Sequence, residues 1–131
     1  MPEVETRTVG GLKIDVRAGA VTVRLDEPPP IGDGTGATPS ETLLAALSAC
    51  AAMTLTMYAK RKQWPLTNVR IHATLERPES KEPGTPQRIV QTITLEGPLD
   101  AEQKKRLVEI AGKCPVHRTL EGPLVLEERL A

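Results

Sequence analysis

The sequence predicts an α+β fold made of one domain over residues 1–131, with strand-forming stretches on either side of one long apolar helix. Three observations predict it. Apolar and polar residues alternate with period two across residues 4–25 and again across 68–97. A capped helical run opens at Thr38-Pro39, and a second, amphipathic one opens at Asp100. The expected element order is βββ-α-ββ-αα-β, with strands and helices segregated instead of alternating as in a doubly wound sheet.

The N-terminal stretch reads as two or three strands. Leu12, Ile14 and Val16 alternate with Lys13, Asp15 and Arg17, and Val21, Val23 and Leu25 alternate with Thr22 and Arg24, so one face should be buried and the other wet. Gly10-Gly11 and Ala18-Gly19-Ala20 supply the turns. Asp26 to Thr38 is a loop of three prolines and three glycines, where the backbone can reverse or come close to a ligand or another chain. It is not a phosphate-binding loop, because no Gly-Lys-Ser/Thr follows.

Thr38-Pro39-Ser40-Glu41 combines an N-cap residue, a proline at the first helical position and a glutamate that completes a capping box. The helix should run to Gln63, where Trp64-Pro65 stops it. From Leu43 to Met57 it is apolar or small on every face, which means either burial or a membrane span. Its alanines, Ser48, Thr54 and Thr56, and the amphipathic strands that need a core, favour burial in protein, with a second chain helping to cover it. Lys60-Arg61-Lys62 suits the negative end of the helix dipole.

Two further strands are expected at Asn68–Arg77 and Gln87–Gly97, joined by the polar, proline-rich stretch 78–86. Asp100 with Gln103 forms another capping box; Leu107, Ile110 and Ala111 make the buried stripe, and Gly112 ends that helix. Cys114-Pro115 opens a short helix that Gly122 closes, and a last strand is expected at Val125–Leu130.

Composition narrows the function classes. Seventeen basic residues balance seventeen acidic ones, and the chain has one Trp, one Tyr and no Phe, so neither an electrostatic nor a stacking surface for nucleic acid is indicated. The first five residues are charged and lack an apolar run, so no secretory signal and a cytoplasmic location are expected. Two cysteines in that setting suggest reactive thiols more than a structural staple.

Cys50 lies in the middle of the apolar helix, where a free cysteine is commonly a small buried hydrophobe. Cys114 fits an N-cap, where unpaired backbone N–H groups and the dipole lower a thiol pKa, with His117 and Arg118 close behind; a plain cap with a solvated His-Arg pair is the competing reading. No local motif links the two thiols, and the fold must bring them together. Zinc held by Cys50, Cys114, His117 and His72 lacks the usual ligand spacings, so neither metal nor cofactor is expected. No GxSxG element supports serine hydrolysis.

The run Gly36-Ala37-Thr38-Pro39-Ser40-Glu41-Thr42-Leu43-Leu44-Ala45-Ala46-Leu47-Ser48-Ala49-Cys50, continued by 53–62, resembles the helix motif of the OsmC/Ohr family of osmotically inducible and organic hydroperoxide resistance proteins. Lys113-Cys114-Pro115-Val116-His117-Arg118-Thr119-Leu120-Glu121-Gly122 resembles the second cysteine motif of its OsmC-like branch, and Asp26-Glu27-Pro28 also fits. The resemblance implies a domain-swapped homodimer with central helices packed between curved antiparallel sheets. It implies a peroxidase for organic hydroperoxides in which Cys50 attacks the peroxide, Cys114 resolves the sulfenic acid, and a dithiol, lipoyl-type in the best-known branch, restores both. In the hydroperoxide-resistance branch a glutamate directly follows the helix proline and pairs with an N-terminal arginine that polarises the cysteine. Here Ser40 stands in that place and Glu41 one residue later, as in the OsmC-like branch; among Arg7, Arg17 and Arg24, Arg17 is the favoured cation. A non-catalytic dimer binding an apolar ligand, or a thiol redox sensor, are the competing readings.

Overall fold

The computed structural model describes residues 1–131 and divides into two compact units, Met1–Leu43 and Leu44–Ala131. In the first, β1 (Glu5–Thr8), β2 (Ile14–Ala18) and β3 (Val21–Leu25) form an antiparallel sheet in sequence order. Ile14 lies opposite Leu25 and Thr8, so the apolar set of β2 shares one side of the sheet with its neighbours. The expected buried face is not closed within one chain: Leu12, Val21 and Val23 are exposed, and only Ile14, Val16 and Leu25 are half-buried. Alternation therefore located the strands correctly, but a sheet face is buried only where another layer covers it.

The loop after β3 is built around Asp26, which is 2% exposed. Its carboxylate accepts from the Glu27 amide at 2.8 Å, the Asp33 amide at 3.3 Å, the Thr35 amide at 3.1 Å and the Thr35 hydroxyl at 2.7 Å. These bonds hold its pKa down at about 2, the Thr35 hydroxyl contributing most. A Cβ at Gly36 would collide with the Arg24 carbonyl, so glycine lets the loop return alongside β3, where Leu25 bridges Ala37.

Helix α1 spans Pro39–Lys62, 24 residues. The capping box forms: the Thr38 amide donates to the Glu41 carboxylate at 2.9 Å, and the Glu41 amide donates to the Thr38 hydroxyl at 3.1 Å. Three polar side chains of its middle turns bond backward to helix carbonyls: Ser48 to Ala45, Thr54 to Cys50 and Thr56 to Ala52. The helix is long and apolar enough to cross a membrane by length and composition, a test that core helices of soluble proteins also pass.

In the second unit, β4 (Asn68–Glu76) and β5 (Arg88–Glu96) pair antiparallel, with Ile71 opposite Ile93 and Val69 opposite Leu95. Helices α2 (Ala101–Ala111) and α3 (Pro115–Glu121) follow. Asp100 caps α2 through both bonds of its box with Gln103. The core gathers Leu47, Ala51, Leu55 and Ala59 of α1 with Leu107, Ile110 and Ala111 of α2 and with Cys114, against half-buried Ile71, Ile89, Ile93 and Leu95 of the sheet. Leu47, Ala51, Leu55 and Ala59 recur every four residues and form one stripe. The opposite face of α1 is bare: Met53 and Met57 are each 65% exposed.

One expected element is absent. Val125–Leu130 carries no strand, and Val125, Leu126 and Leu130 are exposed. Its apolar residues read as a strand, but a strand exists only when its amides and carbonyls find an edge to pair with, and this segment pairs with none in its own chain.

Candidate active site: two cysteines in the helical core

Cys50 is carried by α1 on the flank of the buried stripe, so its thiol is half-buried against the core. Cys114 is the N-cap of α3 and is completely buried. Gly112 ends α2, and Pro115 at the first position of α3 fixes where the next helix starts, so the two-residue link turns Cys114 inward. The two thiols, remote in sequence, come together here: both are free, Cys50 packs against the cluster that contains Cys114, and its proximity acts on the Cys114 thiol.

The electrostatics of Cys114 reverse the expectation drawn from its cap position. The His117 amide does donate to its sulfur, at 3.4 Å, and by itself lowers the pKa. Burial acts more strongly and raises it, and the neighbouring Cys50 adds to the rise. The physical reason is that one long N–H···S bond does not replace the water a thiolate would lose in a fully enclosed site. Cys114 therefore holds its proton.

The His117 ring engages Glu121, with Nε2 2.7 Å from the carboxylate. It lines a cleft of about 300 Å³ with Leu47, Ile89, Leu120, Gln87 and Gln91, one helical turn before Cys50. The Gln91 amide oxygen in this region is buried without a hydrogen-bond partner. The four-residue zinc arrangement does not form: no three His, Cys, Asp or Glu side chains cluster as metal ligands, and His72 is exposed on β4.

The other two anticipated site residues lie in the N-terminal unit. Arg17 on β2 is paired with Glu5 at 2.6 Å, both well exposed. Glu41 is engaged in the helix cap, which draws its pKa down through the Thr38 amide and hydroxyl. Sequence reasoning passed over the chemistry of Asp26, although an acid directly before a Pro/Gly-rich loop signals side-chain-to-backbone bonding. It also passed over Arg106 and Lys113, which join Arg61 and Arg118 in one cleft. Nothing local marks that grouping, because it arises from packing α2 on α1.

Two neighbouring free thiols sit in an α+β domain of one long helix, paired antiparallel strands and two short helices. The chain belongs to the OsmC-like protein family, whose profile matches residues 32–129. No curated protein matches it. Among solved structures it is similar to an OsmC-like protein from Mycoplasma pneumoniae, at 21% identity and a TM-score of 0.81, covering 94% of this chain and 89% of that one. It is similar also to the organic hydroperoxide resistance protein OsmC from Legionella pneumophila, at 17% identity and a TM-score of 0.70, covering 95% and 91%. A third is the organic hydroperoxide resistance protein OhrB of Bacillus subtilis, at 23% identity and a TM-score of 0.63, covering 95% and 93%. At these identities the likeness establishes the fold.

Proposed function

We propose that the protein is a thiol-dependent peroxidase that reduces organic hydroperoxides at Cys50 and resolves the product with Cys114. The observation that carries the reading is the proximity of the two free thiols in the core. The Cys50 sulfur attacks the terminal peroxide oxygen; the O–O bond breaks, the alcohol leaves with a proton, and Cys50 becomes a sulfenic acid. The Cys114 sulfur then displaces water from that sulfenic acid, forming a Cys50–Cys114 disulfide. An external dithiol, of lipoyl type in this reading, reduces the disulfide by exchange and is itself oxidised.

Three features support it. A protonated Cys114 can donate to the Cys50 thiolate before attack and to the leaving oxygen as its charge develops, without competing as a second anion in a small volume. The cleft lined by Leu47, Ile89 and Leu120 favours an apolar alkyl group over hydrogen peroxide. The family contains proteins named for organic hydroperoxide resistance. Arg17 is assigned as the cation that polarises Cys50, and Glu41 as the carboxylate that orients it, since the pairing of Arg17 with Glu5 is exposed and exchangeable. The exposed apolar face of α1 around Met53 favours a homodimer in which a second copy covers it. A cytoplasmic site of action completes the proposal.

The deciding experiment is consumption of cumene hydroperoxide by the reduced protein, followed with mass spectrometry. Wild type should consume one equivalent and lose two hydrogens to a disulfide. Cys114→Ser should consume one equivalent and stop as a Cys50 sulfenic acid, and Cys50→Ser should consume none. Equal consumption by Cys50→Ser would overturn the reading, and no consumption by wild type would favour a non-catalytic dimer.

A further inference from the structure

The chain carries no net charge, yet one cleft concentrates positive charge. It measures about 360 Å³ and is lined by Arg61 of α1, Arg106 of α2, Lys113 of the α2–α3 link and Arg118 of α3, together with Thr54, Met57, Tyr58 and Ile110. No acidic side chain lines it. Arg106 is held at 3.1 Å by Glu109, which lies outside the lining, and Arg61, Lys113 and Arg118 form no ion pair. Like charges gathered from four elements repel one another, and folding tolerates such a grouping most readily where an anion relieves it.

The remaining lining gives the site a shape. Tyr58 organises the cations: its hydroxyl accepts from Arg106 Nε at 3.2 Å, and its ring lies 5.3 Å from the Arg61 guanidinium carbon and 5.8 Å from that of Arg106. Trp64 braces that ring edge-on at 5.5 Å. The positive surroundings register on Tyr58 itself, whose pKa is drawn down first by the Arg106 bond and also by the charges of Arg106, Lys62 and Arg61. Met57 and Ile110 add an apolar wall.

We propose that this cleft binds the oxyanion headgroup, carboxylate or phosphate, of a small ligand whose apolar portion lies along Met57 and Ile110. Arg61, Arg106, Lys113 and Arg118 supply the donors, and the guanidinium forks suit the two oxygens of either headgroup. The site does not depend on the peroxidase reading.

The test is an NMR titration of the full chain carrying Cys50→Ser, which removes thiol oxidation, with sodium phosphate and with sodium octanoate at constant ionic strength. Saturable shifts at Arg61, Arg106, Lys113 and Arg118 with either probe support the site. Saturation by phosphate identifies a headgroup-only site, and saturation by octanoate alone identifies a carboxylate held with help from the apolar wall. Combining Lys113→Met with Arg118→Gln should weaken binding about tenfold or more, while Glu109→Gln, which frees Arg106, should tighten it. Shifts that stay linear with both probes, or a double variant that binds as the parent does while keeping its folded spectrum, would overturn the proposal.

Discussion

Replacing Leu107 by alanine tests whether the packing of α2 on α1 places Cys114. Leu107 is fully buried in the cluster that also contains Leu55 and Cys114. Removing three buried carbons at about 0.8 kcal/mol each costs ~2.4 kcal/mol in transfer free energy. The cavity that rigid neighbours leave behind raises the total to about 3–4 kcal/mol. For a chain of this size each kcal/mol lowers the melting temperature by about 4 °C, so a drop of ~12–16 °C is expected. It should be measured at fixed protein concentration, because any self-association feeds into apparent stability. The second readout is the rate at which a mild oxidant closes the Cys50–Cys114 disulfide, scored below the melting range. Since α2 leads directly into the cap that holds Cys114, a looser α2 should slow closure several-fold. A loss under about 1 kcal/mol together with unchanged closure would refute the argument that this contact positions the thiol.

Other outcomes follow from the same geometry. In the reduced protein Cys114 should react with iodoacetamide far more slowly than a small-molecule thiol at pH 7, accelerating only above pH 9.0, its ordinary value, because burial holds the proton; fast labelling at neutral pH would contradict this. Asp26 is more acidic in the folded protein, about 2, than its ordinary 3.8, so its stabilising effect is complete above pH 3.8 and is lost as the pH falls toward 2. An acid titration of Asp26→Asn should accordingly be flatter than that of wild type in this window. Asp100→Ala breaks the bond to the Gln103 amide, costing about 1 kcal/mol in urea denaturation, and Asp100→Ser should recover most of it. Glu41→Gln keeps an acceptor for the Thr38 amide, so the helix cap and melting temperature should hold; a fall in peroxide consumption would then report its assigned role beside Arg17.

Much of this architecture was legible in the sequence because its signals are local. Thr38-Pro39-Ser40-Glu41 and Asp100 through Gln103 are short-range hydrogen-bond programs, and both helices begin where these residues place them. The alternation of β4 and β5 predicted which side chains face the core. What the sequence misjudged depended on neighbours brought from a distance. The segment Val125–Leu130 has the residues of a strand but no edge beside it, so propensity alone misled. Cys114 was correctly read as a cap, yet its acidity was misread, because the burial that dominates it comes from α1 and α2 and not from its own turn. The meeting of Cys50 with Cys114 required tertiary packing, and the resemblance to the OsmC/Ohr motifs anticipated it where spacing could not.

The backward-bonded Ser48, Thr54 and Thr56 of α1 have a consequence for what this helix can stand next to. Each hydroxyl is answered by a carbonyl of its own helix, so residues that count as hydrophilic in a hydropathy sum ask little of their surroundings. Discrimination among neighbours then falls to relief. Ala45, Ala46, Ala49 and Ala52 leave shallow ground between the taller methionines, and a second backbone can approach such ground more closely than loosely ordered solvent or lipid chains can fill it. The helix chooses company by contour, and a bulky residue at Ala49 would disturb that choice without altering the polarity of the surface at all.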